Sequence, residues 1–289
     1  MEGNILEIKG LTKNYDDFSL TDIYLTIPYG CIMGMIGENG AGKSTTIKAI
    51  LGLIHADAGS IRIFGMDGIA EGEKIREDLG IVLGELNLPS TFNGKEIEKM
   101  MSKVYKNWDS TIYYEYLEQF DINKNKKIKD YSKGMKIKAA LAIALSHQAK
   151  LLILDEPTDG LDPSIREEVL DILREFILDE EHSVLISSHI LSDLEKISDY
   201  VALIHKGRMV LCEEKDRLLE DYRILKGSTE SIKKAAEEDD HMTLLGIREH
   251  NFGSEALVKK GKIRLEEYHL IAEPATLEEI MIYMVKEEK

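Results

Sequence analysis

The sequence predicts an α/β fold built on a largely parallel sheet. Three observations carry that expectation. The run Gly37-Glu38-Asn39-Gly40-Ala41-Gly42-Lys43-Ser44-Thr45 fits the phosphate-binding pattern G-x-x-x-x-G-K-[ST] at every fixed position. The apolar run 31–36 before it reads as a buried strand, and 45–51 after it as the first turns of a helix. Between 151 and 204, apolar strands alternate with helical stretches, the pattern of strands joined by helical crossovers.

In chain order, residues 5–9 alternate apolar and polar, as a half-buried or edge strand does, and 20–27 suggest a second strand. Tyr15 lies between them, where an aromatic ring either stacks on a nucleotide base or is an ordinary loop residue. Pro28-Tyr29-Gly30 turns the chain into the third strand. Gly37, Gly40 and Gly42 then let the backbone curl without Cβ clashes. The curled N–H groups and the positive end of the helix can surround a polyphosphate. Lys43 can reach its β- and γ-phosphates, and Ser44 can ligate Mg²⁺. Short strands follow at 60–65 and 79–83.

From about 85 to 149 helical periodicity takes over. Ile97, Met100, Met101, Val104 and Tyr105 fall at i, i+3, i+4, i+7 and i+8, one apolar stripe expected to pack in the core. Residues 123–129 carry four lysines and read as an exposed connection. In Tyr131-Ser132-Lys133-Gly134-Met135-Lys136, Ser132 fits a helix N-cap ahead of an Ala- and Leu-rich helix at 136–148. A helix N-terminus is also a second place for an anion.

The strand Leu151-Leu152-Ile153-Leu154-Asp155-Glu156-Pro157 ends in two acids. Asp155 is expected beside Ser44, across adjacent strands, as a partner for Mg²⁺. Glu156 can accept a proton from, or orient, an attacking water. Pro163 opens a helix reaching 178. The strand 183–189 ends in His189, which should emerge on the same sheet edge and hydrogen-bond a γ-phosphate. A short helix at 193–197 and a hairpin about Lys206-Gly207 follow. Beyond about 215 the order β-α-β-β-β-α suggests a small separate α+β unit. Its strands are expected at 223–226, 243–249, 256–258 and 263–271, its helices at 229–237 and 276–285, and the acidic run 237–240 as a solvated turn.

Composition narrows the function. Of 289 residues, 43% are hydrophobic, which is ample for a core. No apolar run approaches the roughly 20 residues of a membrane span. The N-terminus lacks the basic-then-apolar layout of a signal peptide, so the chain is expected to be cytosolic. A net charge of -16 speaks against broad nucleic-acid binding, which needs a positive footprint. Cys31 and Cys212 lie in apolar segments without metal-ligand spacing and are expected to be buried thiols rather than a disulfide.

As a set, these motifs resemble the nucleotide-binding domain of ATP-binding cassette (ABC) proteins, over about residues 5–220. Residues 37–45 match the Walker A motif, and Leu151 to Glu156 match Walker B with its following glutamate. Tyr15 matches the aromatic that stacks on adenine, Asp162 the D-loop aspartate, and His189 the switch histidine. Ser132-Lys133-Gly134-Met135 matches the signature usually written S-G-G-Q, with Lys133 and Met135 departing from it. Gly84 stands where the family carries a glutamine that couples Mg²⁺ to the partner. Either Glu85 after it takes the metal-water role, or the coupling is weaker.

The resemblance implies a P-loop NTPase core with an antiparallel β subdomain and a helical subdomain at about 85–149. It makes 1–220 the cassette and 221–289 a small α+β accessory unit. It also implies two ATP molecules, with Mg²⁺, held between the Walker motifs of one chain and the signature of another, in a homodimer or a heterodimer with a second ABC subunit. The expected partner is an integral-membrane permease on a separate chain, with this chain peripheral on the inner face of the cell membrane. The run 157–163 and the C-terminal unit look more like bacterial export or drug-resistance subunits than importer ATPases. The alternative is a soluble single-cassette ATPase acting without a permease, as in cofactor assembly. No nucleic-acid partner is expected.

Overall fold

A computed structural model of the chain describes residues 3–84, 86–238, 242–250, 253–259, 261 and 265–287. The expectations placed on Glu85, Asp239, Asp240 and Ile263 lie outside the described residues. Two strands, β1 (Asn4–Asn14) and β2 (Ser19–Pro28), open the chain, and β3 (Ile32–Ile36) leads to α1 (Lys43–Ile50). Then come β4 (Ala58–Ile63), β5 (Met66–Asp67), α2 (Gly72–Glu77) and β6 (Leu79–Leu83). Next are α3 (Gly94–Val104), α4 (Ser110–Gln119) and α5 (Lys133–Leu145). After them run β7 (Leu151–Asp155), α6 (Pro163–Phe176), β8 (Ser183–Ser188), α7 (Leu191–Ile197), β9 (Tyr200–His205) and β10 (Arg208–Glu214). The remainder is α8 (Lys215–Asp221), β11 (Tyr222–Gly227), α9 (Thr229–Glu238), β12 (Thr243–His250), β13 (Gly253–Lys259), β14 (Ile271–Pro274) and α10 (Leu277–Glu287).

The chain divides into two compact units, Met1–Met209 and Val210–Lys289, with the division inside β10. In the first unit, a four-stranded antiparallel sheet has the order β2-β1-β4-β5. Alternate side chains of β2 are buried, as one covered face requires. The second sheet has the order β10-β9-β3-β8-β7-β6, and β9, β3, β8, β7 and β6 run parallel. Every residue of β3 and β8 is buried, as in a parallel sheet covered on both faces. Cys31 just before β3 is buried, and its thiol is pushed up to about 12 by that burial and by the Asp199 carboxylate. Cys212 is only half-buried, against the expectation of two buried thiols.

Register fixes the site. Asp155 at the end of β7 pairs with Ser187 of β8, and Ile36 at the end of β3 pairs with Ser188. The three C-terminal strand ends are therefore level. One expectation is corrected here: β8 lies between β3 and β7, so Asp155 and the phosphate loop are not on adjacent strands. The order arises because each crossover helix carries the chain to a strand that need not neighbour the last one in sequence.

The helical stretch has strong start signals. Asn93 and Glu96 form a reciprocal capping box on α3, Asp109 caps α4, and Ser132 caps α5. The stripe of α3 is only partly core. Ile97 is fully buried, whereas Val104 is 58% exposed at the last turn. The second unit is a four-stranded antiparallel sheet of order β12-β13-β11-β14. Leu225, Ala256 and Val258 of that sheet pack with Ile232 and Ala235 of α9. The strand expected at 263–271 is instead a 3-10 turn, Leu265–Tyr268, followed by β14.

Candidate functional site

The loop 37–42 curls between β3 and α1. Gly42 holds φ 120, a left-handed conformation that a side chain disfavours, and an added Cβ would lie 2.8 Å from Leu20 Cδ1. The loop is pinned from outside, because Gly207 N donates to Ala41 O at 2.8 Å. Within it, Ala41 N donates to Glu38 O at 3.1 Å, leaving Asn39 and Gly40 exposed at the tip. Ser44 and Thr45 are half-buried on the first turn of α1.

Lys43 is buried, and its ammonium is nonetheless fully engaged. Nζ donates to Gly37 O at 2.6 Å and Glu38 O at 3.2 Å, and lies 3.0 Å from Glu156 Oε1. A buried charge needs such partners to offset its lost hydration. The lysine is therefore folded back onto the carbonyls of its own loop.

Glu156 follows β7 with φ 52, a strained backbone for a residue with a side chain. Ser187 stabilises that turn. Glu156 N donates to Ser187 O and Ser187 Oγ, both at 3.1 Å, and Ser187 Oγ donates to Asp155 Oδ1 at 2.5 Å. One buried hydroxyl thus orients both acids. Glu156 Oε2 is 2.5 Å from His189 Nδ1. A carboxylate only accepts, so Nδ1 carries the proton and donates it. His189 Nε2 faces Asp159 Oδ1 at 3.7 Å. The structure brings Lys43, Asp155, Glu156 and His189 together at the level strand ends.

Among the described residues, no cluster of three His, Cys, Asp or Glu side chains is arranged to hold a metal by itself. The hydroxyl of Ser44 and the carboxylate of Asp155 are hard oxygen donors, the kind that Mg²⁺ takes together with substrate phosphates. These residues fit that ion in partnership with a nucleotide.

Other expected residues stand apart. Ser132 Oγ accepts from Met135 N at 3.2 Å as the cap of α5. Gly134 packs on α6, where an added Cβ would lie 2.7 Å from Ile165 Cδ1. Neither makes a hydrogen bond to the phosphate loop among the described residues. Asp162 Oδ1 accepts from Ile165 N at 3.2 Å and caps α6. Tyr15 is 47% exposed, with Lys13 Nζ 5.6 Å from its ring centre.

Three residues near the site escaped the sequence reading. Phe18 abuts the loop: its Cζ lies 3.3 Å from where a Gly42 Cβ would be. Ser187 looked like any serine in a buried strand. Asp159, in the turn after Walker B, bonds Lys133 at 3.1 Å. A polar residue next to a motif was the available signal for Asp159, and nothing marked the other two.

The ABC transporter family model matches residues 20–159. The chain is 30% identical over 286 residues to the ABC transporter ATP-binding protein YhcH of Bacillus subtilis (strain 168), covering 98% of this chain and 91% of that protein. It is 36% identical over 219 residues to the lantibiotic transport ATP-binding protein SrtF of Streptococcus pyogenes, covering 73% and 92%. Among solved structures, it is similar to an ATP-binding subunit of an ABC transporter at a TM-score of 0.66 and 28% identity, over 75% of this chain and 92% of the other.

Proposed function

We propose that this chain, which belongs to the ABC transporter family and is an ATPase, pairs head to tail on ATP to drive a separate integral-membrane permease. One observation carries the catalytic part: the Glu156 carboxylate is shared between Lys43 and His189, at 3.0 and 2.5 Å. The triphosphate is more strongly negative than a carboxylate. It draws Lys43 Nζ off Glu156 and onto the β- and γ-phosphates, while the loop amides and the α1 N-terminus hold the remaining oxygens. Glu156 Oε1 is then free for a water. The carboxylate takes the water's proton as its oxygen attacks the γ-phosphorus, and ADP leaves with the electrons of the broken bond. Mg²⁺ held by Ser44 and Asp155 would neutralise charge developing on the phosphates. His189 orients Glu156 through Nδ1 and steadies the γ-phosphate.

Ser132 and Gly134 are placed by this reading against the nucleotide of a second cassette, which fits their separation from the chain's own phosphate loop. Tyr15 stacks on adenine, and Asp162 lies in the contact between the two chains. No helix among the described residues is long and apolar enough to cross a membrane, which accords with a permease on another chain. Export is the direction we favour, from the run 157–163. The lantibiotic cargo in the name of SrtF belongs to that protein.

Glu156→Gln tests the reading. The variant should bind ATP, lose hydrolysis by at least ~100-fold, and elute as an ATP-dependent dimer on size exclusion. Hydrolysis at the wild-type rate would remove Glu156 as the base. From solubilised membranes the chain should bring down a multi-span protein. A chain that brings down none supports the permease-free alternative.

A further inference from the structure

The lysines of the helical stretch are not spread evenly. Lys95, Lys99 and Lys103 follow at i, i+4 and i+8 along α3, so they share one stripe, on the side away from the fully buried Ile97. The connection 123–129 runs antiparallel beside the start of that helix. Asn93 bridges Lys127, Lys95 N donates to Lys124 O at 3.3 Å, and Lys129 N donates to Ser90 O at 2.9 Å. Lys124, Lys127 and Lys129 therefore extend the stripe past the start of α3, and all six lysines are exposed. The connection is solvated, as its sequence suggested, but it is bonded to α3 rather than loose.

Little in the fold offsets these charges. Among the described residues none of the six is ion-paired, whereas Lys106, just beyond α3, lies 3.6 Å from Glu77. The two acids on α3 are engaged elsewhere: Glu96 Oε2 accepts from Asn93 N at 2.8 Å, and Glu98 Oε1 from Ser110 Oγ at 2.7 Å. Lys124 Nζ faces the Tyr114 ring at 5.3 Å. Like charges four residues apart destabilise a helix, and a lysine in the first turn opposes the positive end of the dipole. A merely solvated helix face alternates its signs and avoids both effects. In a chain of net charge -16, six unpaired cations on one surface point to an anionic partner.

We propose that this surface lies directly against the anionic headgroups of a lipid bilayer. The inference goes beyond the permease reading and does not need it. Charge separates lipid from the other macromolecule at hand. Cytoplasmic loops of membrane proteins are themselves rich in Lys and Arg, so a permease's loops repel this surface. The cytoplasmic leaflet carries anionic headgroups that attract clustered lysines. Screening keeps the attraction local: at a Debye length of about 8 Å, acids elsewhere on the chain do not cancel it. Each lysine lays its methylenes along the surface and reaches headgroup oxygens with its ammonium. The six lysines thus turn α3 and the connection 123–129 toward the bilayer.

The test is co-sedimentation of the purified full chain with vesicles of phosphatidylcholine, alone or with about one-third phosphatidylglycerol. The chain should bind the mixed vesicles, ignore the neutral ones, and come off when salt is raised several-fold. Lys95→Gln/Lys99→Gln/Lys103→Gln and Lys124→Gln/Lys127→Gln/Lys129→Gln should each weaken the partition by roughly 100-fold, at about five-fold per lysine. Both should hydrolyse ATP as wild type does, which shows an intact fold. Lys9→Gln/Lys74→Gln/Lys234→Gln removes as many exposed lysines from other places and should bind within about two-fold of wild type, since distant charges are screened. No binding to the mixed vesicles, equal binding to both kinds, patch variants that still bind, or an equal loss in the control variant would overturn the proposal. If wild type ignores vesicles and the patch variants lose the multi-span protein from solubilised membranes, the surface faces the permease and not lipid. The vesicles hold no permease, so their result stands apart from whether one co-purifies.

Discussion

Ser187 shows what a residue can do without announcing itself. Its hydroxyl donates to Asp155 and accepts from the amide of Glu156, so it fixes the metal-side acid and the water-side acid together. The sequence named both acids, because phosphate chemistry tolerates few residue types there. It could not name Ser187, because buried serines are common in strands and the role depends on a cross-strand register. Lys43, Glu156 and His189 were legible as separate motifs, and their sharing of one carboxylate was not. Replacing Ser187 with alanine leaves Glu156 N with only the Ser187 carbonyl and releases Asp155. Ser187→Ala is expected to lower kcat by about ten- to a hundred-fold through misplacement of the acids. The folded state should lose about 1–3 kcal/mol, since the variant strips partners from buried polar groups. Urea unfolding and steady-state kinetics would check the two effects. Unchanged kinetics would mean that the strand ends place the acids unaided.

Among the elements, strands were the easier half. β3 and β7 up to its closing Asp155 are continuous apolar runs, and burial on both faces leaves that mark in sequence. Short or irregular pieces left weaker marks. The seven residues of α8 carry no apolar stripe long enough to read, and 265–268 look extended until the chain closes on itself as a 3-10 turn. Packing between α5 and β6 shows a further device invisible to periodicity. His147, just past α5, lies between Ile143 O and Leu79 O, each 3.0 Å from a ring nitrogen, and stacks on Tyr105 at 3.9 Å. Burial holds its pKa below the usual histidine value, against the pull of the two carbonyls. The sign follows. Below the ordinary value of 6.5 the unfolded chain takes up a proton that the folded chain resists, so stability falls as pH falls through that window. The urea midpoint of wild type should therefore drop more steeply from pH 7.5 to 5.5 than that of His147→Phe. Parallel profiles would show that His147 titrates alike in both states.

At the scale of the whole molecule, every residue assigned to the nucleotide lies in the unit Met1–Met209. The change from alternating strands and helices to an antiparallel pattern was visible in sequence, but the division falls earlier than expected, inside β10. Hydrophobic pattern marks where elements begin, whereas a compact unit is set by which elements touch, and β10 reads the same in either unit. The relatives differ in the same way. SrtF is matched over 92% of its length by 73% of this chain, whereas YhcH is matched over 91% of its length by 98% of it. The α9 side of the second unit's sheet has its own core in Leu225, Ile232, Ala256 and Val258. We infer that the cassette folds and binds nucleotide by itself. A chain ending at Glu214 retains all of β10 as a strand of the parallel sheet, together with the phosphate loop, Asp155, Glu156 and His189. In the Glu156→Gln background it should bind ATP within about three-fold of the full chain by calorimetry, a difference under ~0.7 kcal/mol. It should also unfold in one cooperative transition, as a single domain does. Loss of ATP binding with a broad, early melt would mean that residues 215–289 complete the cassette rather than accompany it.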